Sequence, residues 1–231
     1  MTFIPQAIRN AFLGLVRPVV QALIRARVHP NTITTVGCLV VLGSAWAFAS
    51  GRIQLGGALL LLSGVFDILD GQVAREGKLA SEFGAFYDSL LDRVGESALF
   101  AGIAIYFVRG GVPPALVPLA VGVCLAALST SLMVSYARAR AEGLGIDCRV
   151  GIAQRLERFL VLGAPALLIG PGREGRILFW IVVVLALATA VTVVQRIHHV
   201  YRATRRPREA TAVRRDTLPG RTPAAQQAKG R

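Results

Sequence analysis

Runs of about 20 apolar residues recur through most of this chain, and a helix of about 20 residues is what the hydrocarbon core of a bilayer requires. The runs place spans at about 32–50, 53–73, 84–108, 113–137, 152–170 and 175–199. Backbone polar groups in lipid must be satisfied within the segment, so runs of this length are read as helices. The expectation is an all-α integral membrane protein with six transmembrane helices. A composition of 54% hydrophobic residues and a mean hydropathy of +0.56 exclude an ordinary soluble domain of 231 residues.

The segments outside the spans differ in kind. Residues 1–28 form an amphipathic pattern, interrupted at Pro18, in which Arg9, Arg17, Arg25 and Arg27 alternate with apolar positions. This predicts a juxtamembrane helix lying in the interface. Residues 29–201 form the six-helix domain, which opens at Pro30 and Asn31 with helix-start signals. Residues 202–231 lack an apolar period and are rich in arginine, which predicts a disordered basic tail near anionic headgroups. Lys+Arg total 26 against 13 Asp+Glu. The links after the first, third and fifth spans carry only Arg52, Arg109, and the pair Arg173 and Arg176. That asymmetry puts both termini in the cytoplasm and the protein in the cell membrane as a multi-pass chain. No RNA-recognition or helix-turn-helix pattern accompanies the charge, so nucleic acid is not the expected partner. Cys38, Cys124 and Cys148 are scattered and suggest neither disulfide nor zinc. No cleavable signal peptide is expected.

Against this background four acids stand out. Asp67 and Asp70 lie three apart near the end of the second span, and Asp88 and Asp92 lie four apart near the start of the third. Each spacing puts both carboxylates on one helix face. A short connection makes the two helices antiparallel neighbours, so the four carboxylates would face one another. Such a cluster requires a positive partner at low dielectric. Divalent cations that prefer oxygen, Mg²⁺ or Mn²⁺, fit that donor set, and four carboxylates suit two ions. Gly71 and Gly84 beside the acids suggest close approach of a ligand to the backbone, and Arg75 can meet a phosphate. An ion-paired helix contact through Arg75 and Arg93 would leave the acids in excess.

The pattern Asp67-x-x-Asp70-Gly71-x-x-Ala74-Arg75, eight residues, Gly84-x-x-x-Asp88-x-x-x-Asp92 resembles the signature of the CDP-alcohol phosphatidyltransferases at every position. The resemblance implies six transmembrane helices behind an interfacial helix, a homodimer, and transfer of a phosphatidyl group from CDP-diacylglycerol to an alcohol. It also implies roles. Asp67, Asp70 and Asp88 would hold metal, while Asp92 would share a metal and accept the hydroxyl proton. Asn31, Thr32, Ile33, Thr34, Asp70, Gly71, Arg75, Ser81 and Gly84 would face the CDP-lipid.

The acceptor is read from arginines. Arg138, Arg140, Arg149, Arg155, Arg158 and Arg196 gather near the ends of the last three spans. For Arg149 positive-inside anchoring is the favoured reading. Arg155 and Arg158 fall at the start of the fifth span, where cations oppose the helix dipole. An anionic acceptor would account for that placement, since guanidiniums bind phosphate through paired hydrogen bonds. The segments "SYARARAE", "QRLER" and "VQRIH" resemble the branch of the family whose acceptor is inositol 3-phosphate, although Arg138 and Gln154 stand where that branch often has lysine and glutamate. The expected phosphate ligands are Arg138, Arg155 and Arg196, supported by Arg140 and Arg158. Glycerol 3-phosphate is the alternative acceptor. A divalent-cation channel or carrier is the alternative class, which the Gly71–Arg75–Gly84 pattern disfavours.

Overall fold

The computed structural model describes residues 6–205. Among them all regular elements are helices: α1 (Gln6–Arg25), α2 (Pro30–Ala49), α3 (Ile53–Glu76), α4 (Glu82–Tyr106), α5 (Val117–Glu142), α6 (Arg155–Leu168) and α7 (Arg176–Arg205). The starts follow local chemistry. Pro30 occupies the first turn of α2, and the Asn31 N–H donates to His29 Nδ1 at 3.2 Å. The Gly84 N–H donates to Ser81 Oγ at 3.0 Å to open α4. A capping box between Gln154 and Glu157 opens α6.

Apart from α2 with α3, the main pairings join helices that are not consecutive in the chain. α2 lies on α3 and α4, α5 on α7, and α3 on α6. The main core joins Phe48, Leu60, Leu99, Ile103, Phe107, Leu162, Leu178 and Val182. In lipid, helices associate through close packing and hydrogen bonds rather than through hydrophobic exclusion from water. The α3–α6 crossing shows the first of these: a Cβ on Gly57 would sit 2.7 Å from the Gly163 carbonyl oxygen. Ser44 Oγ donates to the Gly56 carbonyl at 2.7 Å, and Thr130 and Thr189 hydroxyls lie 2.6 Å apart between α5 and α7. Leu39, Trp46, Leu119, Leu125, Trp180 and Val194 are exposed on the outside, the expected face towards lipid.

Among the described residues, four helical stretches are long and apolar enough to cross a membrane: Pro30–Ala49, Ile53–Glu76, Pro114–Glu142 and Arg173–Arg205. The chain is therefore an all-helical multi-pass membrane protein. α4 is as long but carries the charges of Asp88, Asp92, Arg93 and Glu96. The fifth expected span, 152–170, is shorter in fact. α6 has 14 residues, a rise of about 21 Å. Gly151 at φ +135° keeps the preceding segment irregular, and Gly170 at φ +76° follows its end.

Two other expectations change. The interruption expected at Pro18 is absent, because α1 runs through it. Val16 and Val20 on either side pack against Ile33, Leu69 and Val73, which holds the helix across the missing N–H. The tail expected from residue 202 begins as helix, since α7 continues to Arg205; residues 206–231 lie outside the described residues.

Candidate active site

The C-terminal end of α3 and the N-terminal half of α4 bring the four aspartates together at one end of the bundle. Asp70 is the most enclosed, at 7% exposure. Thr34 on α2 donates its hydroxyl to Asp70 Oδ2 at 2.8 Å. Asp67, Asp70 and Asp88 lie within electrostatic range of one another. Asp92 is bonded to Arg93 Nη2 at 3.2 Å.

The positive partner is Arg155, the first residue of α6. Its Nη1 is 3.3 Å from Asp67 Oδ2 and is also ion-paired with Asp92 Oδ1. Its guanidinium carbon lies 4.9 Å from the centre of the Phe159 ring, which backs the charge with an aromatic face. A single guanidinium thus bridges acids from α3 and α4. Among the described residues, no three histidine, cysteine or acidic side chains are drawn into a ready cage for a metal ion. Mutual repulsion of the carboxylates and the inserted guanidinium account for that spacing. The donor set is nonetheless all carboxylate oxygen, and it already surrounds a cation, so the residues present fit a hard divalent ion.

The residues expected around the CDP-lipid divide into two groups. Thr34 and Gly71 lie at the acid cleft, Thr34 through its bond to Asp70 and Gly71 as the next residue along α3; Arg75 sits against Gly71, and Asn31 against Gly84. A Cβ on Gly71 would meet the Arg75 guanidinium at 3.2 Å, and one on Gly84 would meet Asn31 Oδ1 at 3.2 Å. Thr32 is exposed beside Phe83 and Tyr87. Ile33 instead turns into the packing of α1 against α3, and Ser81 spends its oxygen on the cap of α4. Two residues passed over in the sequence belong to the frame: Thr35 and Tyr87, whose hydroxyls lie 3.0 Å apart and tie α2 to α4. Their signal was Thr35 standing one helical turn beyond Asn31.

The arginines divide as well. Arg155 reaches the aspartates. Arg196 is buried, with Nε donating to the Val150 carbonyl at 3.0 Å and Nη1 to that of Val134. Arg158 is buried against Glu96 at 2.6 Å. Arg138 pairs with Glu142 at 2.8 Å on the exposed end of α5, where Arg140 is exposed too. Arg149 pairs with Asp147 in the open.

A family model of the CDP-alcohol phosphatidyltransferases matches residues 27–205, which include every element of this cleft. The chain belongs to the CDP-alcohol phosphatidyltransferase family. It is 37% identical over 203 residues to the phosphatidylinositol phosphate synthase of Cutibacterium acnes, covering 84% of this chain and 96% of the relative. It is 38% identical over 206 residues to the archaetidylinositol phosphate synthase of Methanothermobacter thermautotrophicus, with 84% and 96% covered. Two crystal structures of the Mycobacterium tuberculosis phosphatidylinositol phosphate synthase resemble it at 29% identity. The one with CDP-DAG bound has a TM-score of 0.69 and covers 80% of this chain and 92% of its own. The one in complex with manganese and citrate has a TM-score of 0.70, with 80% and 88% covered. As a CDP-alcohol phosphatidyltransferase, the protein is a transferase of phospholipid biosynthesis.

Proposed function

We propose that the enzyme transfers the phosphatidyl group of CDP-diacylglycerol to inositol 3-phosphate, releasing CMP and forming phosphatidylinositol phosphate. The observation that carries the reading is the position of Arg155. A guanidinium there, paired with Asp92, would suit an acceptor phosphate next to the residue that would take the acceptor's proton. The names of both relatives include an inositol phosphate product, and one crystallised relative holds CDP-DAG, which supports the same pairing of donor and acceptor.

In this mechanism the cleft binds CDP along the start of α2 and the Gly71–Arg75 turn. Gly71 and Gly84 keep the backbone open there. Asp67, Asp70, Asp88 and Asp92 would hold Mg²⁺ or Mn²⁺, with two ions as the expected number; the ions would offset the charge that builds on the diphosphate. Thr34 keeps Asp70 aimed into the cleft through its hydrogen bond. The acceptor hydroxyl attacks the β-phosphorus, a new P–O bond forms, the bond to the CMP oxygen breaks, and Asp92 receives the hydroxyl proton. Arg155 holds the acceptor phosphate, with Arg138 at the rim and Arg196 deeper in; Arg140 and Arg158 act in support.

The same reading makes α4 and α6 crossing helices alongside the four apolar stretches, with α1 in the interface and both termini in the cytoplasm. A homodimer in the cell membrane completes it. CMP release from purified protein with CDP-diacylglycerol and Mg²⁺ tests the acceptor. Release with inositol 3-phosphate, and none with free inositol or serine, is expected. Release with glycerol 3-phosphate alone would assign phosphatidylglycerophosphate synthesis instead.

A further inference from the structure

We propose that the buried ion pair between Glu96 and Arg158 is a positioning pair that sets the first turn of α6 against α4, so that Arg155 faces Asp92. The inference rests on the acceptor reading above and deepens it.

Glu96 follows Asp92 by four residues on α4, and Arg158 follows Arg155 by three on α6. Each is therefore one helical turn deeper on the same face as its neighbour. The two helices meet in two rungs: Asp92 with Arg155, and Glu96 with Arg158. The first rung lies at the cleft, and its members have other work during turnover. The second is sealed, its side chains 2% and 5% exposed and its Oε1 to Nη2 distance 2.6 Å. Arg158 Nη1 also donates to the Ala153 carbonyl at 2.8 Å, directly before the capping residue Gln154. One guanidinium thus joins α4 to the backbone that enters α6.

Stability alone does not call for this arrangement. A buried ion pair is commonly matched or exceeded by apolar side chains of similar volume. Among the described residues, Glu96 Oε2 and Arg158 Nε also lack a hydrogen-bond partner. What the pair adds is direction. The Gly57–Gly163 contact sets how near α6 comes to α3 but forms no oriented bond. A slip of one residue in the pairing would turn Arg155 by about 100° around the helix, out of the cleft.

The test uses the full chain in detergent and follows Tm together with KM for each substrate. Glu96→Gln is expected to lower Tm and to raise the acceptor KM about tenfold or more, with the CDP-diacylglycerol KM unchanged. The double variant Glu96→Leu, Arg158→Met removes both charges. It is expected to recover Tm while the acceptor KM stays raised. Recovery of the acceptor KM along with Tm would reduce the pair to a stabilising contact and overturn the proposal. Arg158→Lys is the second arm, because one ammonium cannot reproduce the planar two-ended bridge. It should raise the acceptor KM, and a wild-type value would overturn the proposal even if the double variant failed to fold. The wild-type acceptor panel is run first. If another acceptor releases CMP, the acceptor reading fails, and the pair is judged on the KM of that acceptor.

Discussion

Arg155 Nη1 stands 3.3 Å from Asp67 Oδ2 and is also paired with Asp92, so the first residue of α6 closes the cleft between α3 and α4. The same guanidinium is the proposed ligand of the acceptor phosphate. It cannot serve the carboxylates and a phosphate fully at once, and cation arrival at the aspartates is the event that would free it.

Arg155→Ala should therefore have two opposite effects. The acceptor KM should rise about tenfold or more, in line with loss of a charge-assisted hydrogen bond. Without acceptor, Mn²⁺ should bind more tightly, because a competing cation has gone. Mn²⁺ titration by electron paramagnetic resonance reads the second effect without turnover. Weaker Mn²⁺ binding would show that Arg155 supports the ion site rather than competing for it.

Asp92→Asn should lower kcat by about 10²–10⁴-fold, the usual contribution of a positioned base. CDP-diacylglycerol binding, followed by equilibrium dialysis, should persist. A kcat within a few-fold of wild type would remove Asp92 from the proton's path.

Metal removal should stop CMP release altogether, and Mg²⁺ or Mn²⁺ should restore it. Asp70→Asn should shift the Mn²⁺ concentration for half-maximal rate upward, since a carboxylate oxygen binds a hard cation better than an amide does. An unchanged metal dependence would place the ion elsewhere.

Thr34→Val keeps the volume of a buried side chain and deletes its hydrogen bond to Asp70. The expected cost is about 1–3 kcal/mol for the unsatisfied carboxylate. It should appear as a lower Tm in detergent and a raised donor KM. Added divalent metal should recover part of the Tm loss by giving Asp70 a new partner.

Gly57→Val tests the helix crossing rather than the cleft. Its new side chain would meet the Gly163 carbonyl and the Leu167 N–H, both backbone atoms that cannot turn away. Separation of α3 from α6 should destabilise by about 1–3 kcal/mol and withdraw Arg155 from Asp67. A variant with wild-type Tm and activity would mean that α6 tolerates displacement.

The apolar runs and the aspartate pattern were legible in the sequence because helical periodicity is local. Residues three or four apart share a face whatever surrounds them, so Asp67 with Asp70, and Asp88 with Asp92, could be paired without coordinates. Run length marked four of the expected spans for the same reason; the other two, 84–108 and 152–170, fall on the charged α4 and on the 14-residue α6, which follows Gly151 in a conformation that hydropathy does not register. The arginines were a different matter. Arg155, Arg158 and Arg196 look alike along the chain, each a long cation at a helix end. Only the packing of α6 on α3 and of α7 on α5 sends the first into the acids, the second onto Glu96 and the third onto the carbonyls of Val134 and Val150. A guanidinium on a flexible stem takes its partner from whatever tertiary neighbours lie within reach, and no spacing along the chain encodes that choice.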